Sequence, residues 1–167
     1  MNTSEVAAFA VRQAGQKALE YFHARDALAI ELKGPQDYVS HADRDVEQTI
    51  IETLQSSFPD DGFVGEESGI TPGARQWVID PIDGTTNFIR GIPYFCTTLA
   101  LVEDECVTAG WIYDPIHDVM YAAERGMGAF ANGQQLHPQW RSSFATGLVG
   151  ICHSSQLTAD ALAGRIT

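Results

Sequence analysis

The sequence predicts an α+β fold: two N-terminal helices packed on a mainly antiparallel sheet, followed by the truncated start of a second α/β domain. Three observations carry this expectation. Apolar residues recur at helical steps through residues 4–22 and 40–58, the pattern changes to strands with regularly spaced turns after residue 88, and a further apolar strand with a helical segment starts after residue 140. The expected division is an N-terminal α+β domain at 1–140 and an incomplete α/β domain at 141–167.

In the first helix Val6, Phe9, Ala10, Ala14, Ala18, Leu19 and Phe22 fall at steps of three and four. Leu28, Ile30 and Leu32 then alternate with Ala29, Glu31 and Lys33 as in a strand, until Gly34-Pro35 breaks the run. Ser40 with Asp43 three residues on makes a capping-box-like start, and Val46, Ile50, Leu54 and Phe58 carry a second helix to Pro59. Asp43 falls in that helix's first turn, where it complements the helix dipole. Asp60-Asp61-Gly62 reads as a turn, Phe63-Val64 as a short strand into Gly65-Glu66-Glu67-Ser68-Gly69, and residues 71–75 as a surface turn. Because side chains alternate along a strand, only one of Glu66 and Glu67 is expected to face a given site.

The stretch from Trp77 to Phe88 organises the chain. Trp77, Val78 and Ile79 suit a buried strand, which Pro81 is expected to end because it cannot donate the next ladder bond. Asp80 is thereby delivered at the rim. Pro81 holds Asp80 extended and Gly84 permits a tight backbone, so Asp80 and Asp83 are expected to converge on one point. Two carboxylates at such a distance repel unless a cation lies between them. Hard oxygen donors without nearby His or Cys favour Mg²⁺, Mn²⁺ or Ca²⁺ over zinc. Taken alone, Asp-Gly-Thr is also consistent with an ordinary turn whose acids are solvated. An EF-hand loop is excluded, since that loop needs acids at alternate positions and glycine sixth. A phosphatase with an aspartate nucleophile two residues before Asp83 is excluded as well, because that position is Pro81.

After Phe88, strands are expected at 94–102, 106–113, 119–123 and 128–131, with turns at Glu103-Asp104-Glu105, Asp114-Pro115-Ile116-His117 and Arg125-Gly126-Met127. This is an antiparallel meander in which Trp111 and Phe130 read as core or interface aromatics. Ala145–Cys152 is expected as a strand and residues 157–163 as the start of a helix.

Composition narrows the functional classes. The chain has 167 residues, 44% of them hydrophobic and 19% charged, the profile of a globular domain with its own core. Its 22 acids against 10 Lys and Arg give a formal charge of -12 without a basic run, which argues against nucleic-acid binding. No apolar run approaches a membrane span, and no basic segment leads into an apolar one at the N-terminus, so a cytoplasmic protein is expected. Cys96, Cys106 and Cys152 are odd in number and set among apolar residues, so they read as small core residues of a reducing compartment.

Gly65-Glu66-Glu67-Ser68 followed by the Trp77–Phe88 stretch closely resembles the inositol monophosphatase family. So do Lys33, Asp37-Tyr38-Val39-Ser40 and Asp43 before it, and Gly126-Met127-Gly128-Ala129-Phe130 after it. The likeness runs from the first helix to about Leu136. It implies Mg²⁺-dependent, lithium-sensitive hydrolysis of a small phosphate monoester, inositol monophosphate first, with sugar bisphosphates, nucleotide phosphates and histidinol phosphate as alternatives. By the same resemblance Glu66, Asp80, Asp83 and the Ile82 carbonyl would hold two or three Mg²⁺ ions, or Mn²⁺ in their place, with Asp43 beside an additional position. Glu66 and Thr85 would activate the attacking water. Lys33, Asp37, Asp83, Gly84 and Thr85 would meet the substrate. The full-length form is expected to be a homodimer. In the family a later Trp-Asp motif supplies a further metal-binding aspartate, and no Trp-Asp dipeptide occurs here. The chain is therefore expected either to be truncated or to build its site with fewer ligands. The rival reading is an inactive metal-binding or interaction module.

Overall fold

The computed structural model describes residues 1–24, 30–32 and 38–137. Leu28, Ala29, Lys33, Asp37, the expected strand Ala145–Cys152 and the helical segment 157–163 lie outside the described residues. The chain divides into a unit spanning Met1–Leu136 and a second spanning His137–Thr167, and only the first is described below.

Helix α1 (Thr3–His23) is started by a capping box at Asn2. The Asn2 side chain accepts the Glu5 amide at 2.8 Å, and the Glu5 carboxylate accepts the Asn2 amide at 2.9 Å. The helix buries Val6, Ala10, Val11, Ala14 and Ala18, a face of small side chains that lets the backbone come close to its neighbours. A short hairpin follows, β1 (Ile30–Leu32) against β2 (Tyr38–Ser40). Helix α2 (His41–Ser57) then buries Val46, Ile50 and Leu54 as its periodicity requires, and also two acids, Asp43 and Glu47.

The remaining strands form one eight-stranded sheet. They are β3 (Gly62–Gly65), β4 (Gly69–Thr71), β5 (Gln76–Asp83), β6 (Cys96–Glu103), β7 (Cys106–Asp114), β8 (Val119–Glu124), β9 (Gly128–Ala131) and β10 (Gln134–Gln135). Their order across the sheet is β10-β9-β8-β7-β6-β5-β3-β4. Every pairing is antiparallel except β3 with β5. A five-residue helix, α3 (Thr85–Ile89), joins β5 to the segment leading into β6. The meander thus forms as its turn residues predict, and β2, β4 and β10 are additions that are too short to leave a periodic trace.

Strand alternation separates the two faces of the sheet. Trp77 and Ile79 of β5, Leu99 and Leu101 of β6, and Trp111 and Tyr113 of β7 are buried in one cluster with the apolar stripes of α1 and α2. Their alternates Val78, Ile112 and Tyr121 remain 39%, 45% and 41% exposed. Phe22, Phe88 and Phe95 close the core beside α3, with ring centroids 5.0–5.6 Å apart. The start of β5 is fixed by a buried charge whose hydrogen bonds are satisfied. Asp61 receives the Arg75 guanidinium at 3.0 and 2.7 Å and the Trp77 indole N–H at 2.8 Å.

The structure corrects the sequence reading at two places. Pro81 does not end its strand: β5 continues to Asp83, because a break of register at this point removes the ladder bond that Pro81 cannot make. Cys106 is exposed at the start of β7 rather than in the core, since the Glu103–Cys106 turn carries it into solvent, while Cys96 is half-buried. Cys152 lies outside the described residues.

The contact between α1 and β7 is tight enough to test. A Cβ added at Gly15 would stand 2.3 Å from the ring of Tyr113, a side chain only 2% exposed. Alanine would gain up to about 1 kcal/mol in helix propensity, whereas overpacking costs about 1–3 kcal/mol. Gly15→Ala is therefore expected to lower stability by about 1 kcal/mol, read as a lower urea midpoint at unchanged slope. A raised midpoint would contradict the packing described here.

Candidate functional site

The site lies where β3 and β5 end. Parallel pairing matches Gly65 to Ile79, so the residues that follow, Glu66 just past the end of β3 and Asp80 still within β5, come side by side. The first turn of α2 brings Asp43 to the same region, where it is 5% exposed. Glu66 does not sit at a strand end as the sequence suggests. It is the first residue of the Glu66–Ser68 turn between Gly65 and Gly69, a three-residue hairpin loop that Gly69 closes at φ 78°.

Asp80 and Asp83 are three residues apart, which in a regular strand would send them to opposite faces. The break of register prevents this. Asp80 pairs with Thr98 and Asp83 with Cys96, so β5 uses one residue more than β6 over the same interval. Thr98 and Cys96 are two apart and share a face, and their partners Asp80 and Asp83 share it too. The intervening Thr97, on the core side, donates its hydroxyl to the Pro81 carbonyl at 2.8 Å and holds the bulge in place. At the end of β5, the Cys96 thiol approaches the Asp83 carboxylate at 3.7 Å. Gly84 takes φ 97°, which turns the chain into α3. The Thr85 hydroxyl donates to the Ile82 carbonyl at 2.9 Å.

Electrostatics single out Asp80. Its carboxyl is pushed up to about 7, first by burial and then by the charges of Asp83, Glu66 and Asp43, against the opposing pull of the Ile82 amide. Its Oδ1 is buried without a hydrogen-bond partner among the described residues. A buried acceptor with three further carboxylates in electrostatic reach has the chemistry to attract a cation of hard character, because added positive charge is what both the orphaned oxygen and the mutual repulsion lack. Among the described residues, however, no three His, Cys, Asp or Glu side chains are placed closely enough to hold one ion between them.

The structure thus brings Asp43, Glu66, Asp80 and Asp83 within electrostatic reach of one another, with Ile82, Gly84 and Thr85 in the same turn of chain. The sequence reading missed Glu47, which is 1% exposed and accepts the amides of Glu67 and Ser68 at 3.0 and 2.8 Å. The only trace of it in the sequence is an acid on the same helical stripe as Asp43, four residues on.

The Asp80 proton gives a pH signature in the absence of added cation. The folded chain holds this proton well above its ordinary value, so the group's contribution to stability is full below about pH 4 and is lost as the pH rises to about 7. Asp80→Asn is expected to remove that loss and to raise stability at neutral pH by about 2 kcal/mol, after allowance for partial exposure. Urea unfolding at pH 4.5 and 7.5 measures it, and equal pH dependence in both proteins would refute the assignment.

Comparison with known proteins agrees with this architecture. The model of the inositol monophosphatase family matches residues 2–160. The chain is 41% identical over 144 residues to an inositol-1-monophosphatase of Rhizobium meliloti, covering 84% of this chain and 54% of that protein. It is 38% identical over 143 residues to the Nus factor SuhB of Pasteurella multocida, with the same shares covered. Among solved structures, a Thermotoga maritima IMPase superposes with a TM-score of 0.78 at 32% identity, over 86% of this chain and 56% of that one. The chain spans about half the length of the curated relatives it matches. With helices on a mainly antiparallel sheet and a family match over nearly its whole length, this chain belongs to the inositol monophosphatase family.

Proposed function

We propose that the protein is a Mg²⁺-dependent phosphomonoesterase acting on a small phosphorylated alcohol, inositol monophosphate first. The observation that carries this reading is the buried, unpartnered Oδ1 of Asp80, with the carboxylates of Asp83, Glu66 and Asp43 within electrostatic reach of that side chain. Support also comes from the matched relatives whose names specify inositol-1-monophosphatase.

In this reading Glu66, Asp80, Asp83 and the Ile82 carbonyl would hold Mg²⁺, with Asp43 beside the position of an additional ion. Such ions would supply positive charge to the oxygens on which negative charge develops as the ester is cleaved. The protein's own groups position the water. Thr85 already spends its proton on the Ile82 carbonyl, which leaves its oxygen free to accept from a water. Glu66, exposed at the hairpin tip, would accept the proton that the water gives up as its oxygen bonds to phosphorus, while the ester P–O bond breaks and the departing alcohol oxygen takes a proton from solvent. The Gly84 and Thr85 amides would receive a phosphate oxygen of the substrate, and Asp83 would meet the substrate elsewhere. Lys33 and Asp37, which lie outside the described residues, are assigned to the substrate by resemblance alone.

The boundary between domains at 140/141, homodimerisation of the full-length form, lithium sensitivity and a cytoplasmic setting belong to the same proposal. No helix among the described residues is long and apolar enough to cross a membrane. Sugar-bisphosphate, nucleotide and histidinol-phosphate hydrolysis remain the neighbouring chemistries. A second reading, a non-catalytic interaction module, is favoured by the several matched relatives that carry the name Nus factor SuhB and by the exposed apolar side chains Val78, Ile112 and Tyr121.

Phosphate release from inositol monophosphate by the 167-residue chain, with and without Mg²⁺, separates the two. The enzyme reading expects Mg²⁺-dependent release that Asp83→Asn lowers by roughly 100-fold or more. Release that is absent with inositol monophosphate and with the neighbouring phosphate esters would leave the module reading.

A further inference from the structure

Glu47 is buried to 1% exposure, and a carboxylate so placed needs partners for both oxygens. Its partners are backbone amides of the turn that carries Glu66: Oε2 accepts Glu67 N–H at 3.0 Å and Oε1 accepts Ser68 N–H at 2.8 Å. These are charge-assisted bonds, and with both oxygens so engaged Glu47 is poorly placed to ligate an ion itself. A second observation concerns the space that the carboxylate occupies. A Cβ on Gly65 would come within 2.5 Å of Glu47 Oε1 and 2.6 Å of its carboxyl carbon, so the residue at the end of β3 must be glycine for the carboxylate to reach the turn.

The placement matters because Glu66 begins a hairpin tip. Residues 66–68 make no ladder pairing, and β3 and β4 pair only as far as Gly65 with Gly69. Nothing in the sheet therefore sets the angle at which Glu66 approaches Asp80. Glu47 stands one helical turn beyond Asp43 on the same buried face of α2. A single rigid helix thus presents Asp43 and, through Glu47, fixes the backbone that presents Glu66.

We propose that Glu47 is a positioning residue of the cation site, clamping the Glu66–Ser68 turn so that Glu66 and Asp43 keep a fixed relation to Asp80. This inference rests on the cation-binding reading given above and extends it to a residue that touches neither ion nor substrate. Partners that orient the ligands of a site typically change metal affinity by about 10–100-fold when they are replaced.

The test compares the unsubstituted chain with Glu47→Gln, which keeps the shape but offers an N–H where an amide needs an acceptor. Gly65→Ala is the second variant, keeping Glu47 but placing a methyl group 2.5 Å from both its Oε1 and the Ser68 hydroxyl, so that carboxylate and turn must separate. Thr53→Ala, on the same helix and far along it from the turn, controls for general loss of stability. Mg²⁺ affinity is read by calorimetry, and hydrogen exchange of the Glu67 and Ser68 amides by NMR. Glu47→Gln and Gly65→Ala are each expected to speed exchange at those two amides and to weaken Mg²⁺ binding by roughly 10-fold or more, while Thr53→Ala changes neither. Faster exchange with unchanged affinity would overturn the positioning role, and unchanged exchange would overturn the clamp itself. If the unsubstituted chain binds no Mg²⁺, the cation-site reading fails and this inference with it, an outcome distinct from the failure of the variants alone.

Discussion

The site depends on one extra residue in β5. Without the bulge between Asp80 and Asp83, the two-residue period of the strand would direct one carboxylate to each face of the sheet. The extra residue restores a common face, and Thr97 secures it from below by bonding the Pro81 carbonyl from inside the core. Pro81 is suited to this place, because a bulge is where a strand dispenses with the N–H that proline lacks. The same residues that look like the end of a strand are thus the part of it that carries the paired acids.

The second constraint is the single parallel pairing in an otherwise antiparallel sheet. β3 and β5 run the same way, so the chain leaves both at one edge and brings Glu66 beside Asp80. To join them the chain passes through β4 and then crosses the start of β3 at Gly73, where a Cβ would stand 1.9 Å from the Gly62 nitrogen. The Asp61, Arg75 and Trp77 network ties that crossing to the first residues of β5. Packing at one end of the strand pair therefore fixes where the acids emerge at the other.

Grouping like charges around a half-buried carboxyl opposes folding. The cost appears as the raised Asp80 proton affinity, which originates in burial and in the neighbouring charges of Asp83, Glu66 and Asp43. A core assembled from α1, α2 and one face of an eight-stranded sheet offsets it, with Trp77 and Trp111 packed at 5.9 Å near its centre. Strain of this kind commonly marks a functional location, because a chain without use for the site would be more stable with one acid fewer.

Much of this was legible in the sequence. The periods of α1 and α2, the turns of the meander and the run of site-type residues from Asp80 to Thr85 are local, and local chemistry determines them: side-chain spacing selects helix or strand, and Gly, Pro and Asp select turns. The sequence also named the acids that the structure gathers. It did not reveal that β5 continues through Pro81, that β3 pairs with β5 in parallel, that Glu66 lies in a hairpin turn, or that Cys106 is exposed. Nor did it distinguish Glu47 from an ordinary surface glutamate of a helix. Each of these depends on what lies across the sheet or on the facing helix, and residues distant in sequence decide it. Identity and spacing determined which groups are available, and only the tertiary structure decided which face and which partner each one meets.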